Sequence, residues 1–284
     1  MKQDDIESWQ EPQGNTIGTW HGKSAMQICG LLLVTVLVAW MAITWLSPNS
    51  DVASPAHSKT VVPPWAIRVV IIILALVGWH ATQKLIGTKA TGDPQKAASA
   101  SMLLTNSDVL LQATEPANRF LNAHPKWANW LLTVSSAIID QLGIYLLLSS
   151  VIGPTVQPFI GLLILFALRQ VCQALTAMPP PIGMIWRDPG FPSIFVTYGV
   201  ANDLFFSGHT ALAVYAAIQL AQLGHSWLTA TAVALVLFEI ATVLVVRAHY
   251  TIDVFTGLIA ALFVSGVAMR IAPACDRALL FYQN

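Results

Sequence analysis

Two short stretches hold side chains able to work on a phosphate ester. Phe205-Phe206-Ser207-Gly208-His209-Thr210 sets serine, glycine and histidine where an apolar run begins, and Arg247-Ala248-His249-Tyr250-Thr251-Ile252-Asp253 puts a second histidine four residues before an aspartate. A helix starting at Ser207 offers N–H groups with no intrahelical partner and the positive end of the helix dipole, a natural seat for an anion. Ser207 adds a hydroxyl donor there, and Gly208 lets backbone approach the anion closely. His249 and Asp253, four apart, share one helix face. The carboxylate can then accept the proton of one ring nitrogen, fixing the tautomer and leaving the other nitrogen basic. With His209 opposite, one histidine can attack phosphorus while the other protonates the departing oxygen. Two histidines and a carboxylate can also hold zinc, but serine and glycine at a helix start serve an anion better than a cation. We expect neither a metal nor a cofactor.

Composition defines the elements that must carry these residues. The chain has 284 residues, 55% hydrophobic and 10% charged, with mean hydropathy +0.64. Soluble domains carry roughly a quarter charged residues, so the expected solvent is the bilayer. Fourteen basic and fourteen acidic residues cancel, leaving no basic field for nucleic acid. Cys29, Cys172 and Cys275 are too few and scattered for a disulfide framework or zinc site. The acidic start (Asp4, Asp5, Glu7, Glu11) is unlike a signal peptide, so the first apolar run is expected to be a retained anchor.

A hydrocarbon core of about 30 Å needs about 20 apolar helical residues. Seven windows meet or approach that length: 25–47, 65–87, 129–151, 156–177, 207–223, 226–247 and 251–271. The fifth is short and is expected to extend back through Leu204, Phe205 and Phe206. Backbone groups in lipid must be satisfied within the segment, so the fold expected is all-α, a polytopic transmembrane helix bundle of about seven spans. Residues 88–128 form the longest polar connection, and Asp108–Trp127 within it has apolar side chains at helical spacing, suited to lying along the interface. Residues 178–203 hold too much proline and glycine for a helix. Trp40, Trp45, Trp65, Trp79, Trp127 and Trp130 fall near span ends and read as a belt. Counting connections puts both histidine motifs on one side of the membrane, at the ends of adjacent helices. Asp140 and Glu239 fall mid-span, where an ionisable group is costly. A hydrogen-bonded contact between helices is one reading of Asp140 and the favoured one for Glu239.

These motifs resemble the paired motifs of the type 2 phosphatidic acid phosphatase superfamily, and within it the sphingomyelin synthase-like branch. Arg169, Thr176, Pro179 and Pro181 match that branch's R-x6-T-x2-P-x-P, and Asp203, six residues before His209, matches an acidic position. Asp140-Gln-Leu-Gly is similar to an acidic element of the equivalent helix. Arg247, two before His249, resembles the plant phosphatidylcholine:diacylglycerol cholinephosphotransferases more than the sphingomyelin synthases. The resemblance spans roughly residues 60–270. It implies a six-helix phosphatidic acid phosphatase-like core over 61–272, with a tail (1–24), an extra helix and loop (25–60) and a C-terminal tail (273–284) outside it.

By the same resemblance His249 is the nucleophile, Asp253 its orienter and His209 the acid for the leaving alcohol. Ser207 and Gly208 would cradle the phosphate, Arg169 and Arg247 would neutralise it, and Asp203, Thr176, Tyr250 and Asp140 are further cavity candidates. The chain departs from the phosphatases: Val243 stands where they carry arginine, and their lysine–arginine signature is missing. The expected activity is therefore transfer of a phosphocholine-type headgroup from a phospholipid to diacylglycerol or ceramide. The alternatives are a lipid phosphate phosphatase and a non-catalytic lipid-binding homologue. The Lys and Arg distribution points to a cytoplasmic site; the resemblance implies an exoplasmic or luminal one.

Overall fold

The computed structural model describes residues 64–87, 94–176, 178–198 and 204–281, which form helices and irregular loops with no strand among them. The window 25–47, with the flanking tail and loop, and Asp203 lie outside the described residues. Helix α1 (Pro64–Gly87) leads to three short helices, α2 (Pro94–Ser107), α3 (Val109–Ala113) and α4 (Glu115–Ala123). Then come α5 (Pro125–Ile152), α6 (Gln157–Leu175), α7 (Gly208–Ala221), α8 (Ser226–Val245) and α9 (Thr251–Phe281). Five of these, α1, α5, α6, α8 and α9, are long and apolar enough to cross a bilayer.

Helix α7 departs from expectation. It has 14 residues, about 21 Å at 1.5 Å per residue, and Leu204–Phe206 do not extend it. Ser207 sets the boundary: its backbone is extended, and its side-chain oxygen accepts the Thr210 N–H at 3.3 Å, an N-cap that starts the helix at Gly208. Membrane-spanning length is unnecessary because α7 does not face lipid over its first half. Every residue from His209 to Ala216 is buried, and α5, α6, α8 and α9 surround the helix. The end of α9 also differs, running through Pro273 to Phe281, so residues 273–281 prolong the helix instead of forming a separate tail. Pro273 has no N–H, so one rung of the ladder is given up without ending it.

Helices α2–α4 and the loop 178–198 cover the end of the bundle where α7 and α9 begin. Leu103, Val109 and Phe120 point outward from the short helices, as a segment lying at the interface requires. Ser101, Thr105, Asp108 and Asn118 reach the other way and staple the loops and helix ends. The Ser101 hydroxyl donates to the Pro180 carbonyl at 2.6 Å, and Thr105 Oγ1 accepts the Ile182 N–H at 3.1 Å. Asn118 Nδ2 donates to the Val245 and Gly183 carbonyls at 2.8 and 3.0 Å. Asp108 accepts from the Leu111 N–H, capping α3, and from the Thr251 N–H at 2.7 Å, capping α9.

Trp65, Trp127 and Trp130 are exposed around the bundle. Trp79 is not a belt residue: it is 9% exposed and stacks on Phe166. Asp140 clamps the 178–198 loop. Its Oδ1 accepts from the Ser193 hydroxyl at 2.8 Å and the Phe195 N–H at 2.9 Å, and its Oδ2 from the Ile194 N–H at 2.9 Å. A carboxylate in a span is thus matched to donors that irregular backbone would otherwise leave unpaired. Glu239, fully buried on α8, accepts from the Ser135 hydroxyl of α5 at 2.6 Å.

Asp140→Ala should cost about 2–4 kcal/mol by stranding loop donors. Thermal unfolding of the detergent-solubilised protein checks this; an unchanged midpoint would show that the loop holds without its clamp.

Candidate active site

Backbone contacts bring the two histidine stretches together. The Ser207 N–H donates to the Asp253 carbonyl at 3.1 Å, pinning the start of α7 against the first turn of α9. Gly257, one turn further along α9, makes the approach sterically feasible: a Cβ there would lie 2.7 Å from the Ser207 carbonyl oxygen. His249, just before α9, reaches back to Leu204, its Nδ1 2.8 Å from the Leu204 carbonyl. His209 and His249 consequently line one cavity of about 170 Å³, together with Arg169 and Gly208.

That contact sets the His249 tautomer. A carbonyl only accepts, so Nδ1 carries the hydrogen and Nε2 keeps its lone pair for a group in the cavity. Sequence spacing assigned the orienting role to Asp253, and here the structure differs. Asp253 Oδ2 lies 3.7 Å from His249 Nδ1, beyond hydrogen-bond range, and instead accepts the Tyr250 N–H at 2.9 Å. The i, i+4 argument presumes that both residues are helical, but α9 begins at Thr251. Asp253 is its third residue, the position from which a carboxylate reaches back to the N–H preceding the helix. Fully buried, Asp253 still stands beside the imidazole.

Arg169 comes from α6 and lies across the start of α7, its Nε donating to the Phe206 carbonyl at 3.0 Å. Gly208 makes room for it: a Cβ there would sit 3.0 Å from Arg169 Nε and 3.3 Å from Cζ. The arginine and two imidazoles therefore line the same small volume, a set of donors suited to an anion.

Other expected site residues serve this volume indirectly. Ser207 is fully buried, its oxygen accepting from Thr210 N–H and the Thr210 hydroxyl, so it caps α7 and does not line the cavity. Arg247, at φ 54°, turns its guanidinium to Glu115 and to the Ile182 and Leu111 carbonyls, away from the cavity wall. The Arg119 hydrogen bond and the Arg247 charge hold the Glu115 carboxyl below its ordinary range. Thr176 is an exposed C-cap of α6, and Tyr250 donates its hydroxyl to the Pro179 carbonyl at 3.1 Å. Asp140 holds the loop whose Phe195, Val196 and Thr197 line the cavity, without lining it itself.

Sequence reasoning missed the aromatic walls. Trp79, Phe166, Trp186 and Phe195 all face the cavity, and Trp186 meets the His209 ring edge-on at 5.3 Å. A tryptophan in a proline-rich loop gives no periodic signal, so Trp186 could not be placed from spacing. Among the described residues no three His, Cys, Asp or Glu side chains converge as a metal site requires.

A helical bundle with spans of this length and a buried, donor-rich site at one end defines an integral multi-pass membrane protein. The AtPDCT1/2 family model matches residues 107–270, more than half of the chain and all of the cavity's loops, and the chain belongs to that family, the phosphatidylcholine:diacylglycerol cholinephosphotransferases. No curated protein and no solved structure matches the chain.

Gly208→Ala should displace the Arg169 guanidinium and lower turnover about 10- to 100-fold while leaving the helical content unchanged. Phospholipid turnover alongside circular dichroism checks it; full activity would separate Arg169 from the reaction.

Proposed function

We propose that the protein moves phosphocholine from phosphatidylcholine to diacylglycerol through a phosphohistidine on His249. The observation that carries this reading is the His249–Leu204 contact, which leaves a basic Nε2 in a cavity that also holds His209 and Arg169. In the first half-reaction Nε2 attacks phosphorus, the bond from phosphorus to the diacylglycerol oxygen breaks, and His209 gives that oxygen its proton. In the second, His209 takes the proton back from an incoming diacylglycerol hydroxyl. The new oxygen–phosphorus bond forms as the nitrogen–phosphorus bond breaks. Arg169 and the amides at the start of α7 offset the charge on the phosphoryl oxygens in both steps. Asp253 Oδ2, 3.7 Å from Nδ1, is the acidic side chain placed to offset the positive character His249 acquires as it attacks.

The match to the AtPDCT1/2 family supports the donor and acceptor classes. The paired histidine motifs support a place in the sphingomyelin synthase-like branch of the type 2 phosphatidic acid phosphatase superfamily. Ceramide offers an acceptor hydroxyl too and is a competing substrate in the test.

Reconstituted wild-type protein given phosphatidylcholine and acyl-labelled diacylglycerol should make labelled phosphatidylcholine. His249→Ala should make none, and His209→Ala should fall about 10²- to 10⁴-fold. Retained transfer in His249→Ala would end the phosphohistidine route. Release of free phosphocholine without new lipid would replace transfer by hydrolysis.

A further inference from the structure

Behind one wall of the active cavity lies a second space, a groove of about 330 Å³ between α1 and α6. Trp79 and Phe166 line both spaces, their rings stacked at 5.1 Å and 18°, so one aromatic pair separates the reacting centre from the groove. Leu76, Leu147, Phe159, Leu162 and Leu163 line it further, and no charged side chain among the described residues does so. One polar rung crosses it, Gln170 Nε2 donating to Thr82 Oγ1 at 2.7 Å and to the Trp79 carbonyl at 3.2 Å, joining α6 to α1. Gly78 borders the groove, and a Cβ built on it would meet no atom within 4 Å.

We propose that this groove holds an acyl chain of the lipid whose headgroup or hydroxyl reacts next door, with Trp79 and Phe166 as the partition between hydrocarbon and phosphate. The inference rests on the reading of the site as a lipid phosphotransferase. A cavity of about 170 Å³ lined by histidines and arginine suits a headgroup and leaves no room for long hydrocarbon chains. Those chains must lie outside it, and the groove is apolar, continuous with the cavity wall and open toward the lipid through the exposed Leu163. An apolar chain seated there stays in surroundings like those of the bilayer interior, while the partition keeps the polar groups of the cavity apart from it. Helix α1 suits this position: only Ile72, Trp79 and Gln83 are buried along its described side chains, so it lies on the bundle without being packed into it.

The test uses full-length protein in phosphatidylcholine vesicles. Gly78→Phe fills the groove from α1, and Leu163→Trp fills it from α6. In each, the ratio of dioleoyl- to dihexanoyl-glycerol turnover should fall at least about tenfold, because a short chain needs little of the groove. A diacylglycerol carrying a diazirine near the chain end should label peptides covering 75–82 and 159–170 in the wild type, with the adducts lost in both variants. An unchanged ratio in both folded variants, or adducts confined to other helices, would overturn the proposal. So would a crosslink from a cysteine introduced at position 78 to residues 25–47 with no lipid adduct, which would make the occupant protein. Groove adducts from a wild type that transfers no headgroup would support the chain site and refute the proposed reaction, so the two readings fail separately.

Discussion

The site depends on a backbone pairing between two segments more than forty residues apart. Ser207 N–H meets the Asp253 carbonyl, the Leu204 carbonyl meets His249 Nδ1, and Gly257 leaves room for the Ser207 backbone to come this close. These contacts fix the separation of α7 and α9 at the ends beside which the histidines stand, and they set the His249 tautomer. A carbonyl suits this task inside a membrane protein. It is anchored by the backbone, carries no charge to desolvate, and does not change protonation when its partner does.

Around this pairing the bundle spends its polar side chains on irregular backbone. Asp140 collects donors from residues 193–195, Asp108 caps two helices, Asn118 donates to carbonyls of the 178–198 loop and of the last residue of α8, and Arg247 with Glu115 ties α4 to the turn before His249. Loops within reach of lipid cannot rely on water for unpaired groups. The chain therefore spends several of its few charged residues on scaffolding, and the cavity itself needs only Arg169 and two imidazoles among the described side chains.

The same fact explains what was legible in the sequence. Spans over 65–87, 129–151, 156–177, 226–247 and 251–271 could be read because lipid demands long apolar runs. Proximity of the histidine motifs followed from counting connections. Spacing misled where an ionisable residue had two available tasks. Asp253 four residues after His249 looks like an orienter, yet the helix starts between them. Arg247 beside His249 looks like a phosphate ligand, yet Glu115, far away in sequence, takes it. Ser207 looks like a donor to substrate, yet Thr210 uses it as a cap. Such competition is decided by three-dimensional neighbours that no local pattern encodes. Trp79 was misread for a related reason: nearness to a span end does not reveal which way a ring points.

The shortness of α7 bears on how enclosed the cavity is. Joined to α8 by a tight turn at its C-terminal end, α7 has six residues fewer than that 20-residue neighbour, and its first turn stops about 9 Å lower. The start of α7, with His209 and the cavity beside it, is thereby enclosed by the four neighbouring helices and roofed by the 178–198 loop. A group reaching His209 must pass between these elements, and the aromatic rings that line the way favour an apolar visitor over water.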